Sequence, residues 1–158
     1  MVGAIENSWL GEFMRAHAWA FPACEALHFI GLSMLIGSIA VMDLRLLGFA
    51  RAVPFRVVHQ LLKWAWVGFA INVTTGILFI FAQASFYYPN MSIRIKFVLI
   101  ALAGLNALWF QLKVHNKLQS WPENGMAPPV ARVIAGLSLV LWLGVICFGR
   151  FIMYWPPY

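Results

Sequence analysis

Four histidines carry most of the chemistry this sequence could do: His17, His28, His59 and His115. An imidazole nitrogen ligates iron, copper or zinc, and it moves protons near neutral pH. His28 is the most informative of the four. It lies inside the apolar run EALHFIGLSMLIGSIAVMDLRLLG, residues 25–48, with Glu25 just ahead of it. An ionisable group in such a run is a functional candidate by default. The competing reading is a neutral ring hydrogen-bonded within the protein, to Glu25 or Ser33. Asp43 and Arg45, near the other end of the run, read as charges that mark where a membrane ends.

Depth sorts the histidines. A b-type haem between helices takes axial ligands from facing side chains at one level. His28 lies about six residues into its run, so roughly 9 Å below the edge. His59 opens the second run and His115 closes the third, which places those two at a common level. About a dozen residues of helix, ~18 Å, separate the levels of His28 and His59, too far for one iron. The candidates are therefore an inner pair, His59 with His115, and an outer pair, His28 with His17. The outer pair requires the segment carrying His17 to fold back. Gly31, Leu35 and Ser38 follow His28 on its face, and small residues there leave room for a flat macrocycle or for a close helix contact. Haem propionates need cations near the surface. Arg94, Lys96 and Arg150 serve at the outer level, and Arg56, Lys63 and Lys113 at the inner one. Ordinary snorkelling at helix ends explains the same residues.

Soft ligands suggest a second chemistry. Met14, His17, Cys24 and His28 lie close together in the chain, and sulfur with imidazole suits copper. No nucleophile, base and orienting group can be placed together, so hydrolysis has nothing to stand on. Asn72, Thr74, Thr75 and Asn106 are read as hydrogen-bond partners between helices. The two cysteines, Cys24 and Cys147, form no CxxC or CxxCH pattern, which gives neither c-type haem attachment nor a zinc knuckle. They read as free thiols rather than as a disulfide.

The elements that must position these groups follow from composition. Of 158 residues, 63% are hydrophobic and 10% charged, with a mean hydropathy of +0.81. A soluble domain of this size could not hide that much apolar surface, so lipid must be the solvent for much of the chain. The net charge of +6 comes from basic residues at the ends of apolar runs. They read as topology signals, not as a nucleic-acid-binding face. The first residues, MVGAIENSWLGEF, carry no basic n-region, so no signal peptide is expected.

Four runs are long enough to cross ~30 Å of hydrocarbon: about 22–47, 54–84, 92–118 and 129–155. Pro22, Pro54 and Pro129 open three of them, as suits a first helical turn. Short connectors make neighbours antiparallel, so the expected fold is all-α: an integral membrane up-down four-helix bundle, one domain over 1–158. Ahead of it, residues 7–20 read as an amphipathic helix in the membrane interface, capped by Asn7 or Ser8. Seven basic residues (Arg45, Arg51, Arg56, Lys63, Lys113, Lys117 and Arg132) fall at one membrane face. Four (Arg15, Arg94, Lys96 and Arg150) fall at the other. The excess places the first group inside and both termini outside, in the periplasm for a bacterial inner-membrane protein.

The segments FPACEALHFIGLSMLIGSIAVMDLRLLG, NVTTGILF and IRIKFVLIALAGLNALWF resemble an uncharacterised family of small bacterial four-helix membrane proteins. Its pattern has an E-x-x-H-x-x-G opening helix, a D-L-R-L-L-G end, a T-G in the second span, and a Lys and an Asn in the third. Glu25, His28, Gly31, Asp43, Leu44, Arg45, Leu46, Leu47, Gly48, Thr75, Gly76, Lys96 and Asn106 match it. More distantly, the layout is similar to small bundle cytochromes b and to the membrane domain of copper-resistance-D-type proteins. That similarity implies one or two b haems, or copper. It also implies electron transfer with a quinone or a periplasmic redox protein. Cytochromes of that class place ligands on several spans, whereas the fourth run here has no histidine. An outer haem would then rest on His28 with His17 or Met14, or on a single ligand. A non-catalytic subunit of a larger complex is the remaining reading. A homo-oligomer is expected, from glycine and serine on the first span.

Overall fold

The computed structural model describes residues 2–113 and 127–155, apart from the side chains of Phe55, Arg56 and His59. It is all-helical, with no strand among the described residues. The elements are α1 (Val2–Glu6), α2 (Trp9–Ala16), α3 (Ala20–Leu47), α4 (Phe55–Ala82), α5 (Ala84–Tyr87), α6 (Met91–Lys113) and α7 (Pro129–Phe151). Four stretches are long and apolar enough to cross a membrane: Ala20–Leu47, Gln60–Ala82, Met91–Lys113 and Pro129–Phe151. Large apolar side chains on them face outward, among them Trp66, Leu105, Val133 and Val140. In a helix with no water around it, such a surface belongs against lipid.

Sequence chemistry accounts for the helix ends. Gly48 closes α3 in the left-handed region, at φ 94°, where a side chain would be strained. There its N–H donates to the Arg45 carbonyl at 3.2 Å, and Phe49 N–H donates to the Leu44 carbonyl at 2.9 Å. Pro54 precedes the first residue of α4, and Pro129 is the first of α7. Three expected boundaries differ. The first span starts at Ala20, so Pro22 sits within its first turn rather than at its start. The second ends at Ala82 and is followed by the short α5. The expected interfacial helix over 7–20 is the shorter α2, Trp9–Ala16, with the separate α1 ahead of it. Its end is broken at His17, which is extended at φ −108° and ψ 108°. Ser8 is the cap of α2, its hydroxyl accepting from Gly11 N–H at 3.4 Å.

The principal packing runs α4 on α3, α3 on α7 and α7 on α6. The first contact is tight. A Cβ on Gly68 would lie 2.5 Å from the Gly31 carbonyl oxygen, so the α3 and α4 backbones nearly touch where they cross. Near the Leu47 end, Leu46, Phe110, Ala131, Ile134 and Ala135 form a buried cluster drawn from α3, α6 and α7. At the opposite end, Met14 of α2 packs with Ala20, Cys24 and Ala82. Asn90 ties α6 to α7. Its Nδ2 donates to the carbonyls of Ile152 and Trp155, at 3.0 and 2.9 Å, while its Oδ1 caps α6 by accepting from Ser92 N–H at 2.9 Å. The segment ahead of α3 is pinned to the α4–α5 junction. Glu6 accepts from Ser85 N–H and hydroxyl, at 2.7 and 2.6 Å, and Arg15 donates to the Ala82 carbonyl at 3.3 Å.

Candidate functional site

His28 faces α4. Its Nδ1 lies 2.6 Å from the Thr75 hydroxyl oxygen. That hydroxyl has one hydrogen, directed to the Ile71 carbonyl at 2.7 Å, with the Asn72 carbonyl at 3.3 Å as a weaker alternative. Thr75 Oγ1 is therefore the acceptor, and His28 Nδ1–H is the donor. With that assignment the ring is the tautomer whose Nε2 carries the lone pair. A histidine ligand whose second nitrogen is held by a hydrogen bond is the usual arrangement at a metal.

The surroundings are mixed. The Phe79 ring stands 5.3 Å from the His28 ring, centroid to centroid. Cys24, one turn before His28, directs its Sγ at the Thr75 carbonyl at 3.7 Å. Both α3 side chains thus converge on one α4 residue, as i and i+4 positions on a common face do. Lys96 of α6 lies close enough for its charge to act on the His28 ring. Tyr87 of α5 borders the same region. Burial, and then the nearby Glu25 carboxylate and Cys24, push its phenol above the ordinary tyrosine range.

The other expected site residues are dispersed. His17 is exposed at the end of α2. Its Nδ1 lies 3.0 Å from the Phe13 carbonyl, and its ring is packed between Phe13 and Trp19. The α2 segment does fold back over α3, but the residue it presents there is Met14, not His17. The His17 ring rests against its own aromatic neighbours rather than against His28. Arg94 is exposed and donates to the Tyr88 carbonyl at 3.3 Å. Arg150 donates to the Tyr154 hydroxyl at 3.2 Å and lies over its ring. Lys113 is exposed at the end of α6. The side chains of Arg56 and His59, and all of His115, lie outside the described residues, so the inner pair does too. Among the described residues no three His, Cys, Asp or Glu side chains converge as a metal group. Cys24 is a buried free thiol and Cys147 an exposed one.

Two features escaped the reading of the sequence. Thr75 was legible as a polar residue in a span, but its pairing with His28 was not. Ser33, one of the partners expected for His28, instead donates to the Phe29 carbonyl at 2.9 Å. Asp43 and Arg45, taken as edge charges, are each 1% exposed. Asp43 lies beside Ser138 of α7, and Arg45 Nε donates to the Val53 carbonyl at 2.8 Å.

The sequence model of a family described as "Family of unknown function (DUF6644)" matches residues 3–155. No curated protein and no solved structure matches the chain.

Proposed function

The chain belongs to this family of unknown function, and from its own geometry we propose that it is a membrane b-type cytochrome with His28 as an axial ligand. The observation that carries this reading is the 2.6 Å contact between His28 Nδ1 and Thr75 Oγ1, which, with Nδ1–H as donor, leaves Nε2 as the ligating nitrogen. The described residues fit one axial ligand at this level rather than a pair. Haem iron, when bound, takes up and releases one electron. The chain's part is to hold the ring, to keep water away with Phe79 and the α3–α4 contact, and to offer Lys96 as a cation for a propionate. Arg94 and Arg150 are the further cations at this level. His59, His115, Arg56 and Lys113 are the candidates for a second haem at the other.

The same reading includes the finer architecture. The four long helices form an up-down bundle across the bacterial inner membrane, α1 and α2 lie in its outer interface, and both termini are periplasmic. The placement of Arg45, Arg51, Lys63, Lys113 and Arg132 near one face supports this orientation. A quinone or a periplasmic redox protein is the electron partner, and the protein assembles as a homo-oligomer. The test is a reduced-minus-oxidised spectrum and a pyridine haemochrome assay on protein purified from haem-replete cells. A Soret band that His28→Ala abolishes and His17→Ala leaves unchanged is expected. Colourless, iron-free protein would sink the proposal.

Copper is the second reading, favoured by one observation. Met14 and Cys24 share a buried cluster at 5% and 6% exposure, with His28 one turn further along α3. Thioether, thiolate and imidazole suit Cu(I). Stoichiometric copper in haem-free protein, lost in Cys24→Ser, would select it.

A further inference from the structure

The short helix α2 packs across α3 and α4 at the end of the pair that holds Cys24 and His28. Its two buried residues are Gly11 and Met14. Gly11 allows a close approach, since a Cβ there would lie 2.7 Å from the Phe81 carbonyl oxygen of α4. Met14 then packs in one cluster with Ala20, Cys24 and Ala82. Cys24 is buried, and its Sγ lies 3.7 Å from the carbonyl oxygen of Thr75, the partner of His28. The one large side chain that α2 buries is thus set against the thiol next to the His28–Thr75 pair.

The bonds that hold this cover are polar and lie at its rim. Glu6, the last residue of α1, accepts from the N–H and the hydroxyl of Ser85, at 2.7 and 2.6 Å, and both bonds are exposed to solvent. Arg15 of α2 braces the same clasp by donating to the Glu6 carbonyl and, at 3.3 Å, to the Ala82 carbonyl. Neither helix stands by itself. α1 has five residues and α2 eight, and isolated helices shorter than ~12 residues are marginal in water. The join to α3 is short and not helical. His17 is extended, at φ −108° and ψ 108°, so residues 17–19 can turn without unwinding α3. A small element held by a few exposed bonds opens at a lower free energy than the spans beneath it.

We infer that α1 and α2 form a lid, hinged at residues 17–19 and clasped by Glu6 on Ser85, that controls the access of small water-borne solutes to Cys24 and the His28–Thr75 pair. The lid does not depend on the haem reading. It is tested by the labelling rate of Cys24 in lipid nanodiscs, where both membrane faces meet water. The probe is a trimethylammonium-bearing methanethiosulfonate, and mass spectrometry follows the mixed disulfide. Cys147→Ser leaves Cys24 as the one cysteine of the chain. Labelling should be slow in that background and about 3–10 times faster with Ser85→Ala, the population change that one lost hydrogen bond makes. Glu6→Ala removes both bonds and should exceed it. Ser85→Thr keeps both donors and should stay slow. Asn90→Ala loosens α6 from α7 but leaves the clasp intact, so it should not alter the rate. Equal rates with and without Ser85→Ala would overturn the inference. So would an equal rise in Asn90→Ala, the mark of general loosening rather than of a lid.

Discussion

Where α3 and α4 cross, the distance between their axes sets whether His28 can reach Thr75. Gly68→Ala tests that dependence. The added Cβ would stand 2.5 Å from the Gly31 carbonyl oxygen and 2.7 Å from the Leu35 backbone nitrogen. Comfortable carbon contacts begin near 3.5 Å, so the helices must part by roughly 1 Å. Both obstacles are main chain, and no rotamer change relieves them. Overpacking on this scale costs about 1–3 kcal/mol. Gly76→Ala, on the same helix, is the control. Nothing lies within 4 Å of its Cβ, and alanine favours a helix over glycine by about 1 kcal/mol. Both substitutions share that gain, so they should differ by the overpacking cost alone, about 1–3 kcal/mol. Thermal unfolding in one detergent reads the difference. If Gly68→Ala melts with the wild type, or Gly76→Ala melts below it, the close-approach argument is wrong.

Thr75→Val removes the acceptor for His28 Nδ1–H while keeping the shape of the side chain. It should cost about 1–3 kcal/mol in the same unfolding assay, and Thr75→Ser should restore most of the loss. Asn90→Ala deletes the α6 cap and both bonds to the α7 end, for about 2–3 kcal/mol, and Asn90→Asp, which keeps the cap oxygen, should fall between. Glu6 is an exposed carboxylate held below its ordinary value of 4.5, first by the Ser85 hydroxyl and then by the Ser85 N–H. A depressed folded value means that docking of α1 is favoured above pH 4.5 and loses that support as pH falls through the lower value. Trp9 fluorescence followed down in pH should report the release, and Ser85→Ala should shift it to higher pH. Tyr87 should ionise above the ordinary tyrosine range by absorbance titration, and Glu25→Gln should bring it part of the way back.

Hydropathy alone located four apolar helices, because length and apolarity are properties of each segment by itself. Ends set by proline or glycine, at Pro54, Pro129 and Gly48, were legible for the same reason. What escaped depends on partners distant in the chain. Glu6 meets Ser85, and His28 meets Thr75, through helix docking that no local period encodes. For His28 the neighbours in sequence, Glu25 and Ser33, were the natural candidates, yet Ser33 turns back on its own helix. Asp43 and Arg45 were misjudged because charge near the end of an apolar run is usually wet. Here the turn after α3 and the face of α7 cover both. Thr75 and Asn106 were recognised as polar contacts between helices, and each is one. Asn72 and Thr74 were placed in the same class, but their described bonds return to Gly68 and Ala70 of α4 itself.

The order of packing has a bearing on how the protein comes to be made. α3 with α4, and α6 with α7, are neighbours in synthesis as well as in space. Each pair makes a polar bond of its own, His28 with Thr75 in one and Asn106 with Ile134 in the other. Among the described side chains, Asp43 of α3 in the first pair lies beside Ser138 of α7 in the second. A ribosome delivering the chain therefore releases the members of each pair one after the other. Where the two pairs meet, the Leu46, Phe110 and Ile134 cluster and the buried Asp43 lie between them.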